Sequence, residues 1–418
     1  MIRLVEALRY RSLRYVRQEI GDFHVLVGPN ASGKSTFLDV IHFLGDFLKS
    51  GLDRAVRLRS PNVENLVWMQ EKHDFELAVE LEIPEERRRQ LRQGTYTRAR
   101  YEVGIGLNKK GELAIAGENL WLKGGENPTQ TQQREFFPKP PMPQGAIVLP
   151  EGAQAPRAWK KVVTKKASSG NDYFMSETTG WNNPFRLGPQ RPALANLPED
   201  DERFPVATWL KRVLIEGIHF LVLNSEAMHR PSPPGSPIEF QADGSNLPWA
   251  IEDLKTRNSE SFHKWLDHVR TALPDIKDVD TIERPEDKHR YLQITYSTGL
   301  KAPSWTVSDG TLRLLALTLL AYLEGPRRVY LIEEPENGIH PQAVEPVFQS
   351  LSSAYDSQIL CATHSTVVLS LAEPSQVLCF ARTSDGATDI VRGSEHPNLR
   401  DWKRGADLGT LFATGVLG

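Results

Sequence analysis

A glycine-rich loop near the start of the chain lies between a short apolar run and a stretch of helical spacing. The run spans Asp22 to Gly28, and the loop that follows has the sequence GPNASGKST at 28–36. Apolar residues then recur at helical spacing from Phe37 to Leu48, and Gly51 predicts the end of the helix. Glycines let the backbone wrap closely around an anion, and a helix N-terminus attracts negative charge. The order of strand, Gly-x-x-x-x-Gly-Lys-Ser and helix therefore favours a phosphate-binding loop in an α/β sheet over a purely structural turn.

The residues of this loop have distinct expected contacts with a nucleotide. Backbone N–H groups surround the phosphates, the Lys34 ammonium reaches the β- and γ-phosphates, and the Ser35 hydroxyl binds Mg²⁺. We therefore predict ATP and Mg²⁺ as ligands. The predicted nucleotide-binding residues of the loop are Asn30, Ala31, Ser32, Gly33, Lys34, Ser35 and Thr36.

Two apolar runs in the second half of the chain end in polar residues suited to phosphate chemistry. The run RVYLIEE at 328–334 places Glu333 and Glu334 at the C-terminal end of a predicted strand, where α/β sheets build ligand sites. Glu333 is the candidate Mg²⁺ ligand and Glu334 the candidate base for the attacking water, with an exposed acidic turn as the alternative. The run QILCAT at 358–363 precedes His364, a candidate γ-phosphate contact whose alternative is an ordinary loop histidine.

A second predicted anion site precedes the strand that carries Glu333. Residues 308–326 have the sequence SDGTLRLLALTLLAYLEGP, in which leucine and alanine on all sides predict a deeply buried helix that Gly325-Pro326 ends. The start of this helix offers Ser308 and Gly310 where backbone N–H groups are unpaired. One nucleotide cannot easily use both helix starts within one copy, whereas two copies arranged head to tail can share them.

These four motifs, in this order, resemble the RecF/SMC-like branch of the ABC ATPases, as found in bacterial AAA family ATPases and in the ATPase halves of OLD-family nucleases. GPNASGKST is similar to their Walker A, LIEEPENGIHP to their Walker B, SDGTLRLLAL to their signature segment and ATHS to their switch histidine. The resemblance covers 1–83 and 240–418. It implies an α/β P-loop NTPase of the ABC-ATPase head type, with an antiparallel β-subdomain and an inserted, mainly helical and loop region.

The same resemblance implies a site shared between two copies. ATP is held between them, and Ser308 and Gly310 of one copy face the γ-phosphate bound to Lys34 of the other. The implied assembly is an ATP-sandwiched homodimer or a higher oligomer built from it. The further implied roles are Glu333 with Mg²⁺, Glu334 as catalytic base, His364 as switch histidine, Arg11 near the nucleotide and Gln70 as the Q-loop glutamine.

The chain departs from these relatives in what surrounds the motifs. Between Walker A and the signature there is no sustained a/d repeat of the kind that builds the long coiled coil of SMC proteins. After His364 we find no acidic cluster with the spacing of the Toprim domain of OLD nucleases, and no zinc-ligand constellation occurs. Any nuclease chemistry of the system is therefore expected on a separate effector protein.

The predicted organisation has an ATPase lobe at each end of the chain. Residues 1–83 carry Walker A, 84–239 the β-subdomain and an insertion that is the expected contact for a partner or DNA, and 240–418 the signature, Walker B and switch histidine. A Pro-, Gln- and Gly-rich stretch at 124–156 predicts a long loop. The predicted elements of the middle region are strands at 75–83, 101–107 and 112–117 and helices at 209–220 and 259–272.

Charge restricts the nucleic-acid partners that the sequence supports. With 50 basic and 53 acidic residues the net charge is -3, which excludes a global polycation. Two local basic clusters form either a DNA-facing surface or solvated faces balanced by nearby carboxylates, and the slightly acidic composition favours the second. The clusters comprise Arg87, Arg88, Arg89, Arg92, Arg98 and Arg100, and Lys160, Lys161, Lys165 and Lys166.

Cysteine content and hydropathy predict the compartment. Two cysteines, Cys361 and Cys379, are too few for a disulfide framework, fit a reducing cytosol and are expected to pack as small apolar residues. Neither a signal-peptide core nor a run of about 18 apolar residues occurs. We therefore predict a soluble, cytoplasmic protein without membrane contact.

Together these features predict an ATPase that dimerises on ATP and uses hydrolysis as a conformational switch. By the resemblance, the expected setting is bacterial phage defence or genome maintenance, with a partner effector under its control. Two alternatives stay open. One is a RecF-like repair protein that binds DNA directly, and the other is a scaffold that holds a toxin or nuclease with little hydrolysis.

Overall fold

The structure, a computed structural model, describes residues 1–70, 72–92, 95–125, 134–139, 145–149, 155–166, 172–399 and 407–417. Much of the predicted long loop at 124–156 lies outside these residues. The strands are, in chain order, β1 (Ile2–Tyr10), β2 (Leu13–Glu19), β3 (Phe23–Val27), β4 (Asp74–Glu82), β5 (Tyr96–Leu107), β6 (Leu113–Gly124), β7 (Trp159–Lys166), β8 (Asp172–Met175), β9 (Asn182–Phe185), β10 (Ile218–Leu221), β11 (Ile276–Glu283), β12 (Arg290–Tyr296), β13 (Lys301–Pro303), β14 (Arg328–Glu333), β15 (Ser357–Ala362), β16 (Val377–Arg382) and β17 (Thr388–Arg392). The helices are α1 (Lys34–Ser50), α2 (Leu52–Arg57), α3 (Glu85–Arg89), α4 (Pro205–Glu216), α5 (Ser225–His229), α6 (Leu247–Arg257), α7 (Ser259–Ala272), α8 (Asp309–Leu319), α9 (Pro341–Ser352), α10 (Thr366–Leu371) and α11 (Leu408–Ala413).

A six-stranded sheet carries the phosphate-loop strand β3 near its centre. The strand order is β10-β14-β15-β3-β16-β17, in which β17 is antiparallel to β16 and the other neighbours are parallel. The central strands are buried on both faces, which explains why Val25, Leu331 and Leu360 belong to unbroken apolar runs. Because parallel strands end at one edge, the residues that follow β3, β14 and β15 come together there.

An eight-stranded antiparallel sheet packs one face against the first helix, α1, within a common apolar core. Its order is β2-β1-β4-β5-β6-β7-β8-β9, so the predicted antiparallel subdomain is confirmed. The sheet takes β1, β2 and β4 from before residue 83 and the remaining strands from after it. In the register of β4 with β5, for example, Val79 lies opposite Tyr101. Strands from both sides of the predicted division at 83 are therefore paired directly.

The predicted helix at 209–220 is wrong at its C-terminal end, although the helix predicted at 259–272 is confirmed as α7. The first helix, α4, ends at Glu216, and the residues after Gly217 form β10, paired in parallel with β14. Apolar and aromatic residues follow Gly217, and they take the strand conformation because a sheet edge is available to them. Spacing along the chain does not reveal that edge.

The buried helix predicted from Ser308 is present as α8, but it ends at Leu319 and does not reach Gly325-Pro326. Residues 320–322 form a turn instead. Leu312, Leu315 and their neighbours are buried on all sides, since α8 packs against α5, α7 and α9. The deep burial that the leucine-rich pattern predicted is therefore confirmed, and the start of the helix is the part that stays at the surface.

The basic clusters do not form one exposed face. Arg100 is buried in the antiparallel sheet, where its guanidinium lies 2.8 Å from both Glu6 Oε2 and Glu102 Oε2. Lys165 is also buried, with Nζ 3.2 Å from Asp172 Oδ2. A DNA-facing role is thus wrong for these two residues, because neighbouring strands and turns supply carboxylates that neutralise them.

The two cysteines lie inside the six-stranded sheet. Both are free and buried, and burial raises the pKa of the Cys379 thiol to about 12. They pack as small apolar residues, as predicted. Within the part of the chain that the structure describes, no helix has both the length and the apolar character needed to cross a membrane.

Candidate active site

The phosphate loop is held in shape by its glycines and by a distant threonine. β3 ends at Val27, α1 begins at Lys34, and Gly33 between them has a φ of 104°. A Cβ on Gly33 would lie 2.2 Å from Thr388 Oγ1, so no larger residue fits. The Thr388 hydroxyl donates a hydrogen bond to Ser32 O at 2.9 Å. The first residue of β17 therefore anchors the loop from the opposite end of the chain.

A cavity of about 610 Å³ opens above this loop. It brings the predicted loop residues together with both predicted carboxylates, the histidine and the arginine. Three further lining residues, Ser12, Asn337 and Ala362, were not assigned roles from the sequence. The cavity is lined by Arg11, Ser12, Asn30, Ala31, Ser32, Gly33, Lys34, Ser35, Thr36, Glu333, Glu334, Asn337, Ala362 and His364.

Lys34 is the central cation of this cavity. Its Nζ donates hydrogen bonds to Gly28 O at 2.8 Å and Pro29 O at 3.1 Å, which orient the ammonium group within the loop. Burial lowers the pKa of Lys34 to about 8, although the nearby carboxylates of Glu334 and Glu333 oppose this shift. An anion that accepts hydrogen bonds from the ammonium would restore its usual preference for the charged form.

The two carboxylates stand at the end of β14, and both side chains are exposed to solvent in the cavity. Glu334 has a φ of 46°, an uncommon value for a residue with a side chain. Its backbone N–H donates to Ala362 O at 2.7 Å, and its carbonyl accepts a hydrogen bond from Asn337 N at 2.9 Å. The turn that follows β14 is thus fixed on both sides of Glu334. Such a fixed turn suits a base that must be aimed at one water.

His364 follows β15, the strand next to β14. Thr363 before it is fully buried, and its N–H donates to Leu26 O at 3.1 Å. Ser365 after it caps α10 by accepting a hydrogen bond from Val368 N. His364 itself is half-buried and lines the cavity between these two anchored neighbours.

The β1–β2 turn supplies Arg11 to the cavity. Arg11 Nη1 lies 3.1 Å from Asp39 Oδ2, an oxygen that also accepts a hydrogen bond from the Tyr10 hydroxyl at 2.7 Å. Gln70, the candidate Q-loop residue, does not line the cavity, and its amide donates to Asn65 Oδ1 at 3.3 Å. The structure therefore brings Arg11 to the candidate site and leaves Gln70 outside it.

Ser308 and Gly310 lie at the start of α8, outside the cavity of their own chain. Ser308 is exposed and caps the helix by accepting a hydrogen bond from Thr311 N at 3.2 Å. A Cβ on Gly310 would lie 2.5 Å from Gly338 O, so this glycine allows α8 to approach the turn that follows β14. The two helix starts of one chain are thus separate surfaces joined through the 334–340 segment.

The residues present fit a nucleotide with Mg²⁺. Ser32 Oγ is buried next to Gly28 and has no hydrogen-bond partner among the described residues. Ser35 and Glu333 both line the cavity and offer a hydroxyl and a carboxylate, which are hard oxygen ligands. Mg²⁺ is usually bound by one or two such protein groups together with substrate phosphates.

Comparison with known proteins places the chain in a family. A family model described as “AAA domain, putative AbiEii toxin, Type IV TA system” matches residues 23–89 and 152–370, which is more than half of the chain. The chain belongs to this family. No match was found among curated protein sequences.

Three of the solved structures to which the AAA-domain chain is similar are Smc head domains. The structure titled “Crystal structure of the SmcHead bound to the C-winged helix domain of ScpA” is 14% identical, with a TM-score of 0.50, and 93% of this chain covers 96% of that chain. An Smc head with an extended coiled coil from Pyrococcus furiosus is 12% identical, with a TM-score of 0.48. The match covers 100% of this chain and 98% of that chain. The SMC head domain from Thermotoga maritima is 12% identical, with a TM-score of 0.42. The match covers 94% of this chain and 98% of that chain.

The family match and the likeness to the first of these structures confirm the predicted resemblance and the predicted fold class. The AAA-domain chain has the α/β P-loop fold of an SMC head, which is an ABC-type ATPase domain. An ATPase-type family implies the use of a nucleotide. Which side chains bind it and which act on it is a separate question from the fold.

We predict that ATP affinity falls as the pH rises through about 8. The ammonium of Lys34 is charged below its pKa of about 8 and neutral above it, and only the charged form attracts phosphate. The dissociation constant of a non-hydrolysable ATP analogue with Mg²⁺ is therefore expected to be about tenfold larger at pH 9 than at pH 7. Calorimetric titration at several pH values measures this. A constant affinity over this range would contradict the role of the Lys34 ammonium.

Proposed function

We propose that this AAA-domain protein binds and hydrolyses ATP at sites that form between two copies of the chain. One observation carries the proposal. The cavity gathers Lys34, Glu334 and His364, whereas Ser308 and Gly310 lie outside it in the same chain. A second copy, turned head to tail, supplies its own helix start to the open side of the cavity.

In the proposed reaction each residue of the cavity has a defined task. The loop N–H groups and Lys34 bind the β- and γ-phosphates, and Ser35 and Glu333 hold Mg²⁺. Bound Mg²⁺ neutralises charge on the phosphates. Glu334 takes a proton from a water whose oxygen attacks the γ-phosphorus, and the bond to the oxygen that bridges the β- and γ-phosphates breaks. ADP and phosphate are released, and Glu334 returns its proton to the solvent.

ATP acts as a switch because residues of both copies contact its phosphates. ATP that touches the loop of one copy and Ser308 and Gly310 of the other binds the closed dimer better than separate chains, so it shifts the population toward the dimer. Hydrolysis removes the γ-phosphate that joins the two surfaces. The dimer then opens.

The native mass of Glu334→Gln with and without Mg-ATP tests this proposal. This variant is expected to retain ATP, so light scattering should show a mass that doubles when Mg-ATP is added. Glu334→Gln combined with Lys34→Ala is the matched control and should stay at the mass of the nucleotide-free protein. If the mass of Glu334→Gln does not change with Mg-ATP, the ATP-dependent dimer is wrong.

We further propose that the switch controls a partner effector protein in bacterial phage defence or genome maintenance. The family description names a toxin of a Type IV TA system, and the SmcHead of the first similar structure is bound to a domain of ScpA. The binding of that head to a second protein supports a separate partner here, whereas the family description applies to the AAA domain itself. Turnover measured with and without co-encoded proteins tests this, and the proposal fails if no such protein changes turnover or assembly.

Direct DNA binding by the arginine cluster has less support. The guanidinium groups of Arg87, Arg89 and Arg98 each lie within 3.6 Å of a carboxylate oxygen, and Arg100 is buried. Side chains that are already paired lose these partners when they bind phosphate. We therefore prefer a protein effector to DNA as the principal partner.

A further inference from the structure

Glu336 is a carboxylate next to the proposed active site that has no role in the reaction described above. It lies two residues after Glu334, at the edge of a small apolar cavity formed by Val344, Val347 and neighbouring side chains. One carboxylate oxygen accepts a hydrogen bond from the Thr363 hydroxyl. The other is buried and has no hydrogen-bond partner among the described residues. This hydrogen bond thus links the carboxylate to the Thr363 hydroxyl.

Thr363 in turn connects to the residue on the far side of His364. Its hydroxyl oxygen accepts a hydrogen bond from Ser365 N at 2.9 Å, while its own N–H donates to Leu26 O. Thr363 therefore fixes the backbone on both sides of His364, before it through its own N–H and after it through the hydroxyl. It does so from a position that is fully buried, with 0% of its surface exposed.

These bonds join the two strand ends that carry the proposed catalytic groups. β14 and β15 are paired in parallel up to Glu333 and Ala362, and Glu334 N continues the ladder to Ala362 O. Beyond that point the chains diverge toward Glu334 and His364. The bond from Thr363 to Glu336 bridges the two turns after the backbone ladder has ended.

We propose that Glu336 and Thr363 are positioning residues for ATP hydrolysis: the Glu336 carboxylate fixes the Thr363 hydroxyl, and this hydroxyl fixes the backbone that presents His364 to the γ-phosphate. The proposal rests on the proposed function, because it assigns the two residues to hydrolysis at the same cavity. Neither residue is among those that line the cavity. They act through His364.

Kinetics of two substitutions at Thr363 test the proposal. Thr363→Val has nearly the same shape and lacks the hydroxyl, whereas Thr363→Ser keeps it. We expect Thr363→Val to lower kcat about tenfold with little change in KM, as is common when a group that orients a functional side chain is lost. Thr363→Ser should restore a near-native kcat. Glu336→Leu removes the other partner and should match the loss of kcat seen in Thr363→Val.

A substitution at His364 distinguishes an effect of Thr363 that acts through His364 from a general perturbation of the structure. In a His364→Gln background, Thr363→Val should cause no further loss, because the group that it positions is absent. Thr208→Val is the matched control, since Thr208 is another buried threonine whose hydroxyl donates to a carbonyl, Phe204 O, at 2.7 Å. It should leave kcat unchanged. A native kcat in Thr363→Val, or a full tenfold loss in the His364→Gln background, would overturn the proposal.

A measurement without turnover distinguishes failure of this proposal from failure of the proposed function. The chain has 11 histidines. With ¹³C-labelled histidine, the His364 resonance is the one missing from the NMR spectrum of His364→Gln. We expect this resonance to shift or broaden in Thr363→Val and to return in Thr363→Ser. An unchanged resonance in an active enzyme overturns the positioning proposal alone, whereas a native protein that hydrolyses no ATP overturns the proposed function and with it the role of these residues in hydrolysis.

Discussion

Glu334→Gln is expected to bind ATP with native affinity and to hydrolyse it at least about a hundredfold more slowly, the loss typical for removal of a general base. The side chain amide has the shape of the carboxylate but cannot accept a proton from water. Glu334 is held at a φ of 46° by hydrogen bonds to Ala362 and Asn337 through its backbone, and these bonds do not involve the side chain. The substitution should therefore leave the turn intact.

Single-turnover hydrolysis and equilibrium ATP binding, measured on the same preparation, test this prediction. Glu345→Gln is the matched control, because Glu345 is an exposed glutamate on the nearby helix α9. It should keep native rates. Hydrolysis by Glu334→Gln at the native rate would show that another group deprotonates the water. Normal assembly together with unchanged biological activity would instead favour the scaffold function, in which ATP is structural.

Two inactive variants are expected to restore activity when they are mixed. Lys34→Ala lacks the phosphate-binding cation but keeps Ser308, and Ser308→Arg blocks the helix start but keeps Lys34. Each alone should lose nearly all ATPase activity. A dimer with one copy of each has one complete site, so an equal mixture should recover about a quarter of the native activity if the copies pair at random in a symmetric dimer.

The control for this mixture is an arginine at an exposed serine away from α8. Ser353 lies at the end of α9 and is exposed. Ser353→Arg should therefore be active without being mixed with another variant. Activity of the Lys34→Ala and Ser308→Arg mixture that equals the sum of its separate components would contradict a shared site. Full activity of Ser308→Arg alone would remove Ser308 from the site altogether.

The candidate site residues that the sequence predicted are those that directly follow an apolar run. The loop at 28–36, the carboxylates after β14 and the histidine after β15 each follow an apolar run, and parallel strands in one sheet bring such ends together. Each of these predictions needed only the residues next to one motif. The proposed division of the site between two copies came instead from the anion-binding pattern at two helix starts together with the family resemblance.

Other features depend on contacts between distant residues. Thr388 anchors the phosphate loop because β16 lies beside β3 and carries β17 on its other edge, and no pattern around Thr388 indicates this contact. Arg100 looked like part of a basic surface until the sheet register placed Glu6 and Glu102 beside it. Asn337 stands close to the two glutamates in sequence, so its adjacency was a usable signal. The contact of Thr363 with Glu336 depends on the pairing of β14 with β15.

The position of β3 in its sheet has a consequence for how the protein is made. β3 leaves the ribosome long before its sheet neighbours β15 and β16, which lie far downstream in the chain. Both edges of this apolar strand thus remain without these partners until β15 and β16 emerge, and nonlocal pairing of this kind is slow and exposed to aggregation. A nascent chain stalled before residue 357 cannot form the loop geometry seen here. We therefore expect the proposed ATP binding only after β15 and β16 have been synthesised and paired with β3.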